Sequence, residues 1–388
     1  MPQNQIQIAS QTVFLMASRT GGPLIPLLAL KDDLNLAKPN LKFIIVGIKG
    51  GVEEKLATLE NLPLIYLPEV KNRRAEVRFK GLFGQVMQKL ENFALVVWTM
   101  CGLGFSTVLS IYFALKYQPK LVLSTSNFLS VPMIWGIAFS NLFKPKATKT
   151  KIAIHLLDPQ NQTINLTKPF ADLLTTGFES MTQALDAKAI TVSSPVRHQL
   201  FQKYNPQQAK QKLVEAGLID INSSHKPLFL IFGGGSGAQF INHWVDQNAV
   251  ELTKVCTVIH LSGFLRASKE KIFLPDLYQN AGLTDLMPAA LVAADLVLAR
   301  AGMSSISELL FLEKPAFLVP MPDSHQEQNA ALVQNYFQIL NQNQSHGWLA
   351  QILKQIETNF EFAKSVQWDK YQDKNNQEYL NLLLKLLK

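Results

Sequence analysis

Residues 295–330 read DLVLARAGMSSISELLFLEKPAFLVPMPDSHQEQNA and contain a complete βαβ unit. Residues 296–298 are a short apolar run, residues 300–302 form a turn, and residues 303–312 have the apolar spacing of a helix. A second strand follows at residues 316–319. Because parallel βαβ units bind ligands beyond the carboxyl ends of their strands, this stretch predicts an α/β sheet with a ligand site at its edge.

The polar side chains of this stretch favour a phosphorylated, hydroxyl-rich ligand such as a nucleotide sugar. Ser304, Ser305 and Ser307 stand at the predicted helix start, where unpaired N–H groups and the helix dipole favour phosphate. The Glu308 carboxylate can accept hydrogen bonds from two ribose hydroxyls. An exposed helix glutamate would follow the same periodicity, so the spacing alone leaves the role of Glu308 open.

The rest of the chain repeats the alternation of short β-rich runs and helical stretches. Predicted strands lie at residues 12–17, 43–47, 64–67, 121–124, 152–155, 172–175 and 189–192, and then at 228–232 and 255–261. Two series of this kind in 388 residues predict two α/β domains, each with a parallel sheet. We place the first domain at residues 1–197, a polar linker at 198–227, the second domain at 228–345 and a helical tail at 346–388.

Each predicted domain carries a glycine-rich turn between a strand and a helix. The sequence Gly233-Gly234-Gly235-Ser236-Gly237 follows the apolar run LFLIF, and Thr20-Gly21-Gly22-Pro23 follows TVFLMA. Glycines at such turns let the backbone approach a diphosphate. Two facing domains with these loops predict a cleft with a ligand in each wall, although either loop could be only a tight turn.

Charge and cysteine content limit the class of protein. The net charge of +8 favours acidic partners, which include nucleic acid, anionic lipid and phosphorylated ligands. Two cysteines are too few for a disulfide framework or a cysteine metal site, and no carboxylate or histidine cluster has convincing ligand spacing. We therefore expect no metal and no other cofactor. The N-terminal residues lack the pattern of a signal peptide, which favours the cytoplasmic side.

An uncharged stretch at residues 92–115, NFALVVWTMCGLGFSTVLSIYFAL, is long enough to cross a bilayer. The predicted strands on either side of it should share one sheet, which a single crossing would prevent. We therefore predict a buried or interfacial helical hairpin that breaks near Gly102 and Gly104. Basic clusters flank the apolar stretches, at Lys71, Arg73, Arg74, Arg78 and Lys80, and at Lys144, Lys146, Lys149 and Lys151.

These clusters beside apolar residues predict peripheral binding to an anionic membrane surface, with solvated loops as the alternative. Nucleic acid is the weaker explanation of the basic charge, because no nucleic-acid motif is present.

Several motifs together resemble the MurG family of glycosyltransferases. ARAGMSSISELL, KPAFLVPMP and HQEQNA are similar to the family's uridine- and sugar-binding segment, and FGGGSGAQFIN is similar to its second glycine loop. SPVR, TGG and VGIKGG resemble three further family segments. The resemblance implies a GT-B fold, in which two facing Rossmann-like domains enclose a cleft.

The resemblance also implies roles for individual residues. Glu308 would hold the ribose, Met303, Ser304, Ser305, Ile306 and Ser307 the diphosphate and neighbouring sugar, and Gln326 the GlcNAc hydroxyls, with Asn329 ending the motif. Arg197, Gly234, Gly235 and Ser236 would lie on the nucleotide side, and Thr284 near the uracil. Thr20, Gly21, Gly22, Asn127 and Asn161 would line the acceptor side.

The first domain departs from the family pattern where the acceptor would bind. Pro23 replaces the family's histidine, Ser126-Asn127-Phe128 replaces a GGY turn, and the family's HEQN appears as His155-Leu156-Leu157-Asp158-Pro159-Gln160-Asn161. The family's asparagine corresponds to Asn161 or, without a gap, to Asp158. With Pro23 unable to take a proton, His155 or Asp158 is the candidate base, and a buried structural role is the alternative for His155.

The implied activity is inverting transfer of GlcNAc from UDP-GlcNAc to undecaprenyl-pyrophosphoryl-MurNAc-pentapeptide, at the cytoplasmic face of the membrane, in peptidoglycan synthesis. One alternative is a related transferase with another lipid acceptor such as diacylglycerol. The other is a non-catalytic, membrane-bound nucleotide-sugar binder.

Overall fold

The computed structural model describes most of the chain, with gaps in several loops. The described residues are 11–18, 21–69, 82–159, 161, 163–185, 188–197, 200, 205–220, 225–234, 237–263, 274–280, 286–368 and 376–388. They form two all-parallel sheets with helices packed against them. This is the predicted arrangement of two Rossmann-like domains.

The first domain contains a seven-stranded sheet of order β3-β2-β1-β4-β5-β6-β7 among the described residues. Its strands are β1 Gln11–Met16, β2 Leu41–Gly47, β3 Leu64–Tyr66, β4 Leu121–Ser124, β5 Lys151–Leu156, β6 Leu173–Thr176 and β7 Ala189–Thr191. Its helices are α1 Ile25–Ala37, α2 Val52–Leu59, α3 Leu82–Tyr117, α4 Ser130–Leu142, α5 Ile164–Thr167 and α6 Glu179–Leu185. The central strands are buried on both faces, which explains their continuous apolar runs.

The second domain contains a six-stranded sheet of order β10-β9-β8-β11-β12-β13. Its strands are β8 Leu228–Phe232, β9 Thr257–Leu261, β10 Leu277–Asn280, β11 Leu296–Arg300, β12 Ala316–Val319 and β13 Gln338–Ile339. The remaining helices are α7 Pro206–Glu215, α8 Gln239–Val255, α9 Met287–Ala293, α10 Met303–Phe311, α11 His325–Leu332, α12 Trp348–Glu357, α13 Glu361–Lys364 and α14 Gln377–Leu386.

Strand order places the predicted motifs at the switch point of each sheet. In the first sheet the order reverses between β1 and β4, and the turns after these strands carry Gly21-Gly22 and Ser126-Asn127. In the second sheet it reverses between β8 and β11, where Gly233-Gly234 and Ala301-Gly302 follow. Ligands of open α/β sheets bind in the crevices that such reversals open.

The predicted hairpin at residues 92–115 is wrong, because α3 runs unbroken through both glycines. Its buried side chains, Leu103, Ser106, Ser110 and Ala114, recur at helical spacing and form one stripe. That stripe packs against α4, where a Cβ on Gly136 would lie 2.6 Å from the Ser110 Cβ. Glycine in a helix costs only about 1 kcal/mol per residue, so Gly102 and Gly104 do not break a helix that packs against α4 along this stripe.

The expectation that one sheet contains the strands on both sides of this helix is confirmed, since β3 and β4 are both in the seven-stranded sheet. Most of α3 outside the stripe is exposed rather than buried. Trp98 is 75% exposed, and Phe93, Phe105 and Val108 are each more than 60% exposed. Within the described residues, Asn92–Tyr117 is the one helical segment with the length and apolar composition of a membrane span.

The segment predicted as a linker, 198–227, is not a linker throughout. It contains α7, whose Ala209 and Leu213 are fully buried in the core of the second domain. The charged and amide residues of this helix face solvent, so its sequence reads as polar although one face is packed. The tail divides between the domains: Trp348 of α12 packs on the second, and Tyr379 and Leu383 of α14 complete the core of the first.

Candidate active site

A cleft between the domains opens at the two switch points. Its empty volume is about 500 Å³, including space open to solvent. The first domain and the segment after β7 contribute Ile25 and Arg197 to its lining, and the second domain contributes Phe232, Gly234, Leu261, Gly263, Met287, Ser304, Ser305 and Glu308. The cleft therefore brings together four of the residues assigned to donor binding from the sequence, in addition to Gly234.

Arg197 and Glu308 form a two-pronged ion pair inside this cleft. The Nε and Nη2 groups of Arg197 donate hydrogen bonds to the two carboxylate oxygens of Glu308, at 2.5 and 2.6 Å. Glu308 is only 4% exposed, and its neighbours Ser307 and Leu309 on the same helix are buried as well. The carboxylate is thus held in a fixed orientation at the cleft, which excludes the alternative of an ordinary exposed helix glutamate.

The start of α10 presents its backbone to the cleft one turn before Glu308. Gly302 caps the helix in extended conformation, and no side chain caps it. Ser304 and Ser305 line the cleft, whereas Met303, Ile306 and Ser307 are buried. The Ser307 hydroxyl donates to the Met303 carbonyl at 2.9 Å. Among these five residues, only the two serines offer side chains to a ligand, and the first turn offers its N–H groups.

The second glycine loop lies against the turn after β9. Gly234 and Gly237 both have positive φ, at 82° and 80°, which favours glycine. A Cβ on Gly237 would lie 2.2 Å from the Ser262 carbonyl oxygen, so only glycine allows this approach. Gly235, Ser236 and Thr284, three of the residues assigned to the donor, lie outside the described residues.

The first glycine loop touches the second domain directly. The Ser304 hydroxyl donates to the Gly22 carbonyl at 2.6 Å, which joins the acceptor-side loop to the start of α10. Gly21 packs near Val52 of α2, and Thr20 lies outside the described residues. The Pro23 carbonyl accepts from the Thr125 hydroxyl at 3.1 Å. This loop therefore closes the cleft by backbone contact.

Helix α11 carries two side-chain amides, those of Gln326 and Asn329. The Gln326 Oε1 atom accepts from the Met321 N–H at 3.0 Å, and this hydrogen bond holds the amide of Gln326 against the loop before the helix. Asn329 is fully buried and donates to the Asp158 carboxylate at 2.9 Å and to the Ala301 carbonyl at 3.1 Å. Asn329 thus links Asp158 of the first domain to the turn before α10.

Asp158 lies on the first-domain side of this junction, just after β5. Its side chain is 29% exposed, and the His325 Nε2 atom lies 3.9 Å from its Oδ1 atom. The carboxylate is oriented by Asn329 and is still accessible. Of the two residues considered as the base, Asp158 has the accessible geometry.

His155 does not fit the role of base. It is fully buried, its Nδ1 atom is hydrogen-bonded to the Thr175 hydroxyl at 2.9 Å, and its Nε2 atom to the Ser194 hydroxyl at 3.2 Å. Its ring also packs on the Tyr379 ring, with the two ring centroids 5.3 Å apart. Burial lowers the pKa of His155 to about 3, so the neutral form is held in the core. The structure assigns His155 to packing and not to proton transfer.

The two remaining acceptor-side residues shape the loops around the cleft. Asn127 accepts from the N–H of Ser130, the first residue of α4, at 3.1 Å and donates to the Met16 carbonyl at 3.2 Å. Asn161 donates to the Ser126 carbonyl at 2.6 Å and accepts from the Thr163 N–H at 3.0 Å. Both amides are engaged with the protein, and they fix the turns after β4 and β5 relative to each other.

Burial of histidine predicts acid sensitivity of the fold. Burial lowers the pKa of His155 to about 3 and of His260 to about 4, while an unfolded histidine titrates near 6.5. Between these values the unfolded chain binds protons that the folded chain excludes. The free energy of unfolding therefore falls as pH decreases below about 6.5, by up to about 1.4 kcal/mol per pH unit for each histidine.

Urea unfolding at pH 7.5, 6 and 5 measures this loss. We expect His155→Gln to have a weaker pH dependence than the original protein, and His346→Gln, a change at an exposed histidine, to leave the dependence unaltered. Equal slopes for the original protein and His155→Gln would contradict the assignment.

Sequence reasoning missed most of the apolar lining of the cleft. Phe232 and Leu261 end two strands and were predicted only as strand residues, and Ile25 and Met287 begin helices. Gly263, which also lines the cleft and was not predicted, has a positive φ of 87°. Its pairing with the second glycine loop joins segments that are distant in the sequence. Among the described residues, no group of three or more His, Cys, Asp or Glu is placed to hold a metal ion.

Known proteins resemble both halves of this cleft. Residues 228–380 match the glycosyltransferase family 28 C-terminal domain. The enzyme named UDP-N-acetylglucosamine–N-acetylmuramyl-(pentapeptide) pyrophosphoryl-undecaprenol N-acetylglucosamine transferase in Clostridium perfringens is 26% identical, over 95% of this chain and 92% of its own. The enzyme of the same name in Prochlorococcus marinus is 27% identical, over 95% of each chain. The crystal structure of Acinetobacter baumannii MurG has a TM-score of 0.59 at 17% identity, and the match covers 97% of this chain and 99% of that one.

The chain resembles MurG transferases over both of its domains. These relatives align with both domains, so the resemblance covers both walls of the cleft. The structure of a UDP-GlcNAc 2-epimerase from Neisseria meningitidis has the same TM-score, 0.59, at 11% identity, and that likeness concerns the fold alone. The GT-B fold that the resemblance implies is confirmed.

Proposed function

We propose that this protein transfers GlcNAc from UDP-GlcNAc to undecaprenyl-pyrophosphoryl-MurNAc-pentapeptide. The observation that carries the proposal is the cleft: a fixed carboxylate, a guanidinium and a helix start converge there, in a chain that aligns over 95% of its length with transferases of this name. The reaction is transfer of a hexosamine between a nucleotide and a lipid-linked sugar.

The donor fits the second-domain wall in three parts. Glu308 accepts hydrogen bonds from the ribose hydroxyls, and the first turn of α10 with Ser304 and Ser305 binds the diphosphate. Gln326, whose Oε1 atom is occupied by the Met321 N–H, donates its amide N–H groups to the GlcNAc hydroxyls. The apolar cleft residues provide the surface on which the nucleotide packs.

The chemistry needs a departing diphosphate and a proton acceptor. An acceptor hydroxyl attacks C1 of GlcNAc, the bond from C1 to the phosphate oxygen breaks, and UDP leaves with the electron pair. The N–H groups at the start of α10 stabilise the charge that develops on that oxygen. Asp158 takes the hydroxyl proton, because it is the oriented, accessible carboxylate on the acceptor side. Attack from the side opposite the diphosphate inverts C1.

We further propose that the first domain docks on an anionic membrane. Exposed apolar residues, including Phe93 and Trp98, lie along α3, and two more, Leu142 and Phe143, lie at the end of α4, where Phe143 is 77% exposed. Lys144, Lys146 and Lys149 follow directly. Burial and the neighbouring charge of Lys120 lower the pKa of Lys144, and an anionic surface would offset that repulsion. Lys151, predicted to contribute, is instead paired with Asp172 at 2.7 Å.

Vesicle binding tests this docking surface. We expect Lys144/Lys146/Lys149→Gln to weaken binding to phosphatidylglycerol vesicles by roughly 100-fold, since each cation contributes about 1 kcal/mol near an anionic surface. The matched control is Lys354/Lys364/Lys385→Gln, the same charge change at exposed positions elsewhere. Trp98→Ser with Phe143→Ser should weaken binding at high salt as well. Binding that is indifferent to salt and to the lysine changes would contradict the proposal.

The lysines predicted at 71 and 80, and the arginines at 73, 74 and 78, lie outside the described residues.

An assay with radiolabelled UDP-GlcNAc and a lipid I analogue tests the transferase itself. Product with the analogue and none with diacylglycerol supports the proposal. Product with diacylglycerol alone would assign a different acceptor. Tight UDP binding without product on either acceptor would make the protein a nucleotide-sugar binder, the outcome that the replacement of the family histidine by Pro23 would explain.

A further inference from the structure

The ion pair in the cleft engages both groups that a donor nucleotide needs. Two N–H groups of Arg197 donate to the two oxygens of Glu308, and only 5% of the Glu308 side chain stays exposed. The guanidinium therefore covers the carboxylate on its cleft side. A ribose cannot approach both oxygens while Arg197 remains in this position.

A diphosphate at the start of α10 would offer Arg197 a second anion close by. Ser304 and Ser305 lie about one helical turn before Glu308, roughly 5 Å along the axis, and all three line the same cleft. A guanidinium binds phosphate through the same parallel N–H pair that binds carboxylate. Rotation of the Arg197 side chain is therefore enough to move its charge from Glu308 to the diphosphate.

The backbone beside Arg197 is fixed, so the side chain is the part that moves. The Asn376 side chain accepts from the Val196 N–H at 3.2 Å and donates to the Val196 carbonyl at 3.1 Å. The same amide donates to the Asp33 carboxylate at 2.6 Å, which ties the segment to α1. The Arg197 side chain retains 18% exposure, which gives it access to the open part of the cleft.

We infer that Arg197 makes ribose recognition conditional on a bound diphosphate. The inference rests on the proposed assignment of Glu308 to the ribose. A nucleoside without phosphate must separate the ion pair and leave a guanidinium without its anion in a mostly enclosed site, which is costly. A nucleoside diphosphate separates the same pair but supplies the replacement anion. The two halves of the ligand therefore bind cooperatively, and the site selects nucleoside diphosphates over nucleosides.

The original protein provides the first test, because the two halves of the ligand can be added separately. Calorimetry should measure the affinity for uridine with and without saturating inorganic pyrophosphate, with sodium chloride at matched ionic strength as the control. We expect pyrophosphate to tighten uridine binding about 5-fold or more. Uridine binding that is unchanged or weakened by pyrophosphate overturns the inference.

The variant Arg197→Gln provides the second test. We expect it to bind uridine about 5-fold or more tightly than the original protein, to bind UDP more weakly, and to lose the pyrophosphate effect. Folded Arg197→Gln with unchanged or weaker uridine affinity overturns the inference, and if the variant does not fold, the pyrophosphate experiment alone decides. Failure of the proposed function is distinguishable, because it would appear as absent GlcNAc transfer to the lipid I analogue, which is measured independently of the uridine and pyrophosphate affinities.

Discussion

Asp158→Asn is expected to lower kcat for GlcNAc transfer by about 10²- to 10⁴-fold, the usual contribution of a general base. Asparagine has nearly the same shape as aspartate, and its side-chain oxygen can still accept from Asn329, which donates to Asp158 at 2.9 Å. The substitution therefore removes the proton acceptor and retains the junction between the domains. UDP affinity should stay within about threefold, because Asp158 lies on the acceptor side.

Steady-state transfer and calorimetric UDP binding, measured on the same preparation, check this result. Glu327→Gln is the matched control, since it neutralises an exposed carboxylate on the same helix as Asn329 and should leave kcat unaltered. The MurG-family motif has an asparagine that aligns with Asp158 when no gap is introduced. A fully active Asp158→Asn enzyme would show that this position orients the acceptor and that another group takes the proton.

Glu308→Ala is expected to weaken UDP binding by about 10- to 150-fold. The variant loses charge-assisted hydrogen bonds to the ribose, which contribute about 1.5 to 3 kcal/mol. The N–H groups at the start of α10 remain, so diphosphate binding persists. A comparison with 2′,3′-dideoxy-UDP isolates the ribose: the original protein should prefer UDP strongly, and the variant should bind the two ligands almost equally.

Glu357→Ala, at an exposed position on α12, is the control for removal of a glutamate. Glu308→Gln separates charge from shape, because glutamine fills the same space. If UDP affinity were unchanged in Glu308→Ala, the carboxylate would serve only to hold Arg197, and the ribose would bind elsewhere in the cleft.

The sequence predicts the strands well because each is an apolar run bounded by turn residues. The strands at 121–124, 228–232 and 316–319 have the predicted bounds, and the β1 and β2 predictions differ by one or two residues at their ends. The two short strands β10 and β13 were missed, since LYQN and QI do not stand out from their surroundings. Helix α3 was predicted with a break because glycine lowers helix propensity, and its packing against Gly136 could not be seen from local sequence.

The contacts that make the cleft could not be predicted in the same way. Arg197 and Glu308 are 111 residues apart, Asp158 and Asn329 are 171 apart, and Gly22 and Ser304 are 282 apart. The resemblance to MurG predicted that these residues belong to the donor and acceptor sites. It did not predict which of them contact each other. Pairing depends on how the domains face each other, which local patterns do not encode. The motif also gave no reason to separate His155 from Asp158, although one is enclosed by Tyr379 and the other is open.

Because helix α14 lies at residues 377–386, the core of the first domain is completed only late in translation. Tyr379, Leu380 and Leu383 belong to the core of the first domain, yet they follow the entire second domain in the chain. A ribosome therefore completes residues 228–340 before it supplies the side chains that close the earlier sheet. Until α14 is synthesised, part of the apolar core of the first domain is exposed to solvent, in addition to the exposed surface of α3. Chaperone demand should accordingly be greatest for the half of the protein that emerges first.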